Sequence, residues 1–373
     1  MRIVIVFALA LTLTASALAQ SPFQEAKHGA AELKFVSGVP VLTVSGKPAE
    51  IGEQIGVLVG KNAPDLIPVL NNFLRAVKLK DAYPALKTAA ANLKTSFPAD
   101  HRTEIEAIAQ ASGYEPDMVY FVNSVYDLSS GMGCSTLLVE KNRSSTGAPL
   151  FGRNFDWVPS EGLPQRTLVL MAKPEGKRAY VSVTLAPITG VISGMNDAGL
   201  CVTINEVRMS QSKDQSKVDW NGVPTLMAFR RVLEECTTIA EAEKLLRGMK
   251  RMSTACMSIC DPSGGAVFEI TPKNLIVRNG ENGVCCCTNH FCTEELCAGN
   301  KTCPRLDKLV KAQKTEDKLG VSEVFDRLHE VNQKNSTMHS MVFEPTTKTL
   351  HLKIGDGKES ATTMKAVKLE LGK

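Results

Sequence analysis

The chain has 373 residues, 43% of them hydrophobic and 22% charged, with a formal net charge of +4. That length holds one large domain or two medium ones, and the balance fits a globular protein with a core. Its Lys and Arg residues are scattered rather than gathered into a basic stripe, so they read as a solvated surface and give no case for nucleic-acid binding.

The first residues read as an export signal. Arg2 supplies a positive start, Ile3 to Leu13 is an apolar run too short to span a bilayer, and Ala17-Leu18-Ala19 has the small-x-small form of a cleavage site. The expectation is a signal peptide over 1–19 and a mature chain from about Gln20, secreted or periplasmic; the alternative is a membrane anchor. No later stretch is long and apolar enough to cross a membrane, so no membrane association is expected once the signal is gone.

From there to residue 133 the pattern reads as helical. Pro48 to Gly60 opens on proline and closes on glycine. Ala63 to Val77 carries apolar residues at helical spacing, and Ala82 to Phe97 follows. Asp100 to Ser112 has Ile105 and Ile108 three apart and Gly113 as a C-cap. Pro116 starts a helix running to Leu128, with proline in the first turn.

After residue 133 the pattern turns to strands, at Ser135 to Glu140, Leu150 to Asn154, Thr167 to Ala172, Tyr180 to Leu185, Gly190 to Met195 and Leu200 to Asn205. Val223 to Arg247 reads as two helices broken near Cys236. Strands resume at Cys256 to Cys260, Ala266 to Ile270, Leu275 to Arg278 and Val284 to Thr288. Helices are expected over Pro304 to Lys314 and Val321 to Val331, and a hairpin from His339 to Glu344 and Thr349 to Ile354. Strand runs flanking paired helices, with little strict alternation, favour a layered α+β fold over a doubly wound sheet.

Eleven cysteines are many for this length, and Cys285, Cys286, Cys287, Cys292, Cys297 and Cys303 crowd around His290. In an oxidising compartment local disulfides are expected. Buried free thiols are the second reading and zinc the third, since no C-x-x-C pair is present.

The chemistry centres on Gly133-Cys134-Ser135. A glycine carbonyl can be approached closely, and its backbone can take strained angles. The thiol of the next residue can attack that carbonyl and convert the peptide to a thioester, which water then opens. Cys134 would be left with a free α-amine, whose pKa near 8 lets it take the thiol proton without a histidine. The alternative for Gly-Cys alone is a buried structural cysteine beside a loop.

Downstream, Gly152-Arg153-Asn154-Phe155-Asp156-Trp157 ends a strand. Arg153 could lower the thiol pKa and Asp156 could orient the α-ammonium, or the two could form an ordinary ion pair. Asn205 closes the strand after the turn Asn196-Asp197-Ala198-Gly199, and Asn289 stands in Thr288-Asn289-His290-Phe291. Either amide could donate to an oxyanion, or simply form a turn.

Taken in order, these four motifs resemble the penicillin acyltransferase and choloylglycine hydrolase branch of the N-terminal-nucleophile (Ntn) hydrolases. They are most similar to the acyl-coenzyme A:6-aminopenicillanic acid acyltransferase family, peptidase family C45. The likeness runs over roughly residues 40 to 355. Pro304-Arg305-Leu306 resembles the family's Ser-x-x-Arg helix start, with Cys303 and Thr302 near the usual serine. The resemblance implies a four-layer αββα sandwich of two antiparallel sheets. It implies self-cleavage between Gly133 and Cys134, into a small chain over 20–133 and a catalytic chain over 134–373 that stay associated. Cys134 would be nucleophile and its α-amine the base. Arg153 and Asp156 would tune and orient the pair. Asn205 and Asn289 would contact the oxyanion or substrate amide, and Arg305 would support the network.

The reaction implied is cleavage of a C–N amide bond in a small N-acyl amide or peptide-like substrate, through an acyl-thioester and without cofactor or metal. An export signal favours hydrolysis over transfer from coenzyme A. Two other readings remain open: an inactive or binding-only protein of the same fold, and a Cys-His thiol hydrolase using His290 or His339 as base.

Overall fold

The computed structural model describes residues 21–371 apart from 62, 64, 65, 130, 208–210, 217 and 300. The expected export signal over 1–19 lies outside the described residues. Among those described, no helix is long and apolar enough to cross a membrane.

The segment upstream of residue 133 is not wholly helical. It opens with strands β1 (Ala26–His28), β2 (Ala31–Val36) and β3 (Val39–Gly46). Ser37 and Gly38 join β2 to β3 with φ of +50° and +86°, the positive angles of a tight hairpin whose twist matches its strands. Helices α1 (Pro48–Ile55), α2 (Leu66–Ala76), α3 (Tyr83–Asn92), α4 (Ala99–Ser112), α5 (Pro116–Asn123) and α6 (Val125–Leu128) follow. The single helix expected from Pro116 to Leu128 is broken at Ser124, whose hydroxyl donates to the carbonyl of Tyr120. Such a local side-chain bond competes with helical continuation.

Beyond residue 133 come β4 (Gly133–Val139), β5 (Leu150–Asp156), β6 (Thr167–Pro174), β7 (Tyr180–Leu185), β8 (Ser193–Asn196), β9 (Cys201–Glu206) and β10 (Gln211–Ser212). Helices α7 (Thr225–Glu235) and α8 (Ile239–Arg247) break at Cys236, as the sequence suggests. They precede β11 (Ala255–Asp261), β12 (Gly264–Ile270), β13 (Leu275–Asn279), β14 (Val284–Cys287) and β15 (Cys297–Ala298). The chain closes with α9 (Pro304–Leu309), α10 (Val321–Glu330), β16 (Thr337–Glu344), β17 (Thr349–Ile354) and β18 (Val367–Glu370).

Among the described residues these strands form a ten-stranded sheet, β1-β2-β3-β6-β7-β8-β9-β11-β12-β13, a six-stranded sheet, β14-β4-β5-β16-β17-β18, and a two-stranded pair, β10-β15. Every pairing in them is antiparallel except β3 with β6. That parallel pair builds the upstream segment into the large sheet, so residues 21–133 and 134–371 share one fold.

Strand alternation sorts the side chains into three apolar layers. Val41, Val169, Val183 and Val267 of the large sheet meet Leu138, Phe151, Met341 and Phe343 of the small one. The opposite face of the large sheet, with Leu42, Leu170, Val202 and Phe268, packs against Ile51, Ile55, Phe229 and other residues of the helices from α1 to α8. The opposite face of the small sheet, with Leu137, Leu150 and Val342, packs against Leu306 of α9 and Val324 and Leu328 of α10. The architecture is therefore helix, sheet, sheet, helix: an αββα sandwich whose small sheet is antiparallel throughout and whose large sheet is antiparallel apart from β3 with β6.

The cysteine expectation is corrected here. All eleven cysteines are free thiols. On β14 the alternation sends Cys285 and Cys287 between the sheets and Cys286 to the outer layer. Neighbours in sequence thus face opposite cores and serve as small apolar residues.

A buried ionic network ties α4 to α7. Arg230 forks onto Glu104 at 2.5 and 2.6 Å and reaches Glu234 at 2.7 Å. His101 lies 2.9 Å and Lys177 2.6 Å from Glu234, and Lys177 also bonds Asp100. Asp100, His101 and Glu234 stand close enough together to ligate a metal ion, but Lys177 and Arg230 already neutralise those carboxylates.

Candidate active site

Cys134 is the second residue of β4 and is fully buried at the end of the small sheet. Its neighbours come from both sheets because β4 also packs against β9 of the large sheet. The Cys134 thiol donates to the carbonyl of Ile204 at 3.3 Å. One guanidinium nitrogen of Arg153 donates to the Cys134 sulfur at 3.4 Å, and the other to the Ile204 carbonyl at 2.7 Å. Burial pushes the thiol pKa up, and the charges of Arg153 and Arg305 oppose that rise.

The backbone of Cys134 is held as firmly as its sulfur. Its N–H donates to Asn289 Oδ1 at 2.9 Å, and its carbonyl accepts from Arg305 at 2.6 Å. Arg305 also donates to Asn289 Oδ1 at 2.7 Å and lies 3.6 Å from Asp156 Oδ2. Asp156 stands directly opposite Gly133 in the β4–β5 register, and accepts from Thr337 at 2.6 Å. A β-carbon placed on Gly133 would lie 3.0 Å from Asp156 Cβ and 3.3 Å from Oδ2. The absent side chain therefore brings the Gly133–Cys134 peptide close to that carboxylate.

Asn205, on β9 immediately after Ile204, is fully buried, and neither its amide nitrogen nor its amide oxygen has a hydrogen-bond partner among the described residues. A buried amide without a partner costs free energy, and such an orphan is the sort of group a ligand or a developing charge can satisfy.

The structure thus gathers Cys134, Arg153, Asp156, Asn289 and Arg305 into one connected set. Asn205 is the neighbour of the carbonyl that Cys134 and Arg153 share. The two histidines make their hydrogen bonds to other groups. His290 bonds Thr288 and the carbonyl of Lys301. His339 bonds Thr167 at 2.8 Å and stacks on Phe155, and burial, reinforced by the nearby Arg153 charge, lowers its pKa to about 3. Neither imidazole is a hydrogen-bond partner of Cys134.

Sequence reasoning missed Glu206. Its carboxylate, at the buried end of β9, accepts from the backbone N–H of Gly131 at 3.1 Å and of Met132 at 2.7 Å. Asn289 completes the clamp by donating to the Glu206 carbonyl at 2.7 Å and to that of Met132 at 3.4 Å. Gly131 sits at φ +133°, an angle that favours glycine. The available signal was a carboxylate closing an otherwise buried strand, Cys201 to Glu206, because a buried charge needs a partner.

A small apolar cleft is walled by Val69, Phe73, Val125, Trp157, Leu163 and Ile188 among others. Trp157 joins the cleft to the site. Its ring packs edge-on against Phe73 at 4.8 Å and against Phe155 at 5.8 Å, and Phe155 is the cross-strand partner of Cys134.

The family model of acyl-coenzyme A:6-aminopenicillanic acid acyl-transferase matches residues 141–359, a span that holds Arg153, Asp156, Asn205, Asn289 and Arg305 and begins just after Cys134. A protein of Archaeoglobus fulgidus, described as uncharacterized, is 24% identical over 277 residues, covering 65% of this chain and 45% of its own. N-acylethanolamine-hydrolyzing acid amidase of Caenorhabditis elegans is 25% identical over 173 residues, 44% of this chain and 48% of its own. The chain spans about half the length of these curated relatives. Among solved structures, a Caenorhabditis elegans ortholog of that amidase aligns with a TM-score of 0.44 at 19% identity, over 57% of this chain and 93% of its own. A mutant of the conjugated bile acid hydrolase from Clostridium perfringens aligns with a TM-score of 0.41 at 16% identity, over 64% of this chain and 96% of its own.

Proposed function

The chain belongs to the acyl-coenzyme A:6-aminopenicillanic acid acyl-transferase family, and from that premise we propose that it is a self-processing Ntn amidohydrolase with Cys134 as nucleophile. The observation that carries this reading is the double hold on Cys134: Arg153 on its sulfur, Asn289 and Arg305 on its backbone.

In the maturation step the Cys134 sulfur attacks the Gly133 carbonyl carbon. The peptide nitrogen leaves as an amine and a thioester forms. Water opens the thioester and releases residues up to Gly133 from the catalytic chain. A positive charge 3.4 Å from the sulfur favours the thiolate that this attack needs. The clamp of Glu206 and Asn289 on Gly131 and Met132 fixes the scissile carbonyl against the attacking residue. The small chain, through β1 to β3 and helices α1 to α6, stays bound because its strands are part of the large sheet.

Cutting leaves an α-amine at Cys134, with Asn289 Oδ1 as hydrogen-bond acceptor and Asp156 near enough to hold its charged form in place. In turnover the amine takes the thiol proton. The sulfur then attacks the substrate carbonyl, and the oxygen that becomes negative takes a hydrogen bond from the unpartnered amide of Asn205. The leaving nitrogen receives the proton, and water hydrolyses the acyl-thioester. The adjoining apolar cleft suits an acyl chain better than a polar one. One relative is named for hydrolysing N-acylethanolamines, which agrees with a small N-acyl amide as substrate. We place the mature enzyme outside the cytoplasm, on the strength of the N-terminal signal pattern, and this favours water over an amine or coenzyme A as acyl partner.

The test is a panel of N-acyl amides with acyl chains of increasing length, assayed for amine release by the wild type and by Cys134→Ala. Release that grows with acyl length and vanishes in the variant supports the proposal. A processed wild type that releases nothing and takes no thiol-reactive acyl analogue would instead mark a binding-only relative.

A further inference from the structure

A second group of reactive side chains stands behind the site. His290 follows Asn289 in the chain. The His290 ring bonds the carbonyl of Lys301 at 2.6 Å and shares Thr288 with Cys303. Thr288 Oγ1 bridges the pair, 3.1 Å from His290 Nδ1 and 3.5 Å from Cys303 Sγ. Cys292 Sγ donates to the same Lys301 carbonyl at 3.6 Å. Cys292 is partly exposed, while Cys303 is 5% exposed.

Burial alone would raise the Cys303 thiol. Hydrogen bonds from His290, Thr288 and the backbone N–H groups of Leu306 and Arg305 outweigh it and bring the pKa down to about 6. Contacts with Cys292 and Cys303 overcome burial at His290 and raise its pKa to about 10. These contacts favour a thiolate at Cys303 beside an imidazolium at His290. On β14, burial pushes Cys285 and Cys286 up instead.

We infer that Cys303 and Cys292, served by His290, form a second reactive thiol site that takes low-molecular-weight disulfides and closes to a Cys292–Cys303 disulfide. The steps balance. The Cys303 thiolate attacks one sulfur of the small disulfide, the S–S bond breaks, and the departing thiolate takes the proton held on His290. Neutral His290 then accepts the Cys292 proton. The Cys292 sulfur attacks the mixed disulfide at Cys303, and the second small thiol leaves with that proton. Two protein thiols are oxidised and one small disulfide is reduced to two thiols. The bond closes the loop between Asn289 and Arg305, the two residues that hold the Cys134 backbone.

The experiment treats full-length protein with oxidised glutathione at about pH 6 and maps each cysteine by peptide mass. The wild type is expected to gain a Cys292–Cys303 disulfide that dithiothreitol reverses. Cys292→Ala is expected to stop at a glutathione adduct on Cys303. His290→Gln should slow reaction at Cys303 roughly tenfold, the net of a smaller thiolate fraction and a more basic sulfur. Cys303→Ser keeps a polar side chain in place and should leave Cys292 unreactive. The inference is overturned if Cys303 reacts no faster than buried Cys236, if the disulfide maps to other cysteines, or if folded His290→Gln reacts at the wild-type rate. The readout is covalent chemistry at residues 292 and 303, so it stands apart from whether the chain cuts before Cys134.

Discussion

Replacing Arg153 by glutamine removes one positive charge from beside the Cys134 sulfur while leaving an amide donor in its place. The guanidinium nitrogen lies 3.4 Å from that sulfur. At an effective dielectric of about 20, a unit charge at that distance favours the thiolate by about 5 kcal/mol, so losing it pushes the thiol pKa up. The thiolate population at neutral pH then falls roughly four-thousandfold. The more basic sulfur is a better nucleophile and recovers about sixtyfold of that, which leaves a net loss of about sixtyfold in the rate of attack on Gly133. The assay follows conversion of one chain to two during cell-free synthesis, quenched at intervals over a pH series from about 6 to about 9. Arg153→Gln should cut about sixtyfold more slowly at pH 7, with the same deficit across the series, because burial already pushes the wild-type thiol pKa up and the thiolate fraction rises in parallel in both proteins. Arg153→Lys, which keeps the charge, should lose much less. A glutamine variant that cuts at the wild-type rate, or a lysine variant that loses as much as the glutamine one, would refute the reasoning.

Asn205→Leu should leave the melting temperature unchanged or raise it, by removing an unpartnered buried amide worth about 1–3 kcal/mol, yet should lower amide turnover by about 10²–10³; thermal melts and turnover measured on the same preparation check both. Arg230→Met strands Glu104 and Glu234 without their cation and should cost about 3–5 kcal/mol, read by chemical denaturation. The Glu234 carboxyl is held well below its ordinary 4.5: burial opposes this, but the charge of Arg230 and the contacts with His101 and Lys177 prevail. Because the folded pKa is depressed, its stabilisation is fully present above about pH 4.5 and is lost as pH falls below that. Melting temperature should therefore fall on acidification more steeply in the wild type than in Glu234→Gln. A β-carbon on Gly152 would lie 2.4 Å from Val324 Cγ1 and 3.3 Å from Leu328 Cδ1, so Gly152→Ala should cost about 1–3 kcal/mol by pushing α10 off β5, and Val324→Ala should recover part of the loss in denaturant midpoint.

The downstream strands were readable because each is a short β-rich run between turn signals, and the hairpin of β16 and β17 follows the expected positions closely. The same alternation that revealed strands also determined which residues would meet. Arg153 and Asp156 reach the end of β4 because β5 runs antiparallel to it, with Gly133 opposite Asp156. The upstream strands were passed over although Ala31 to Val36 alternates and Ser37-Gly38 is a hairpin turn, because the parallel pairing of β3 with β6 joins residues far apart in sequence and leaves no local trace. The cysteines misled for a related reason: a run of three on one strand suggests a cluster, but its members face two different cores. Glu206 escaped because its partners are backbone N–H groups of Gly131 and Met132, which no side-chain motif reports.

The most direct measurement is the N-terminal sequence and intact mass of the purified protein. Two associated chains, the larger beginning with the cysteine of Gly133-Cys134, together with a single uncut chain for Cys134→Ala, are the predicted result. A wild type that hydrolyses an N-acyl amide while its Gly133–Cys134 peptide remains whole would contradict the claim that the terminal amine of Cys134 is the base.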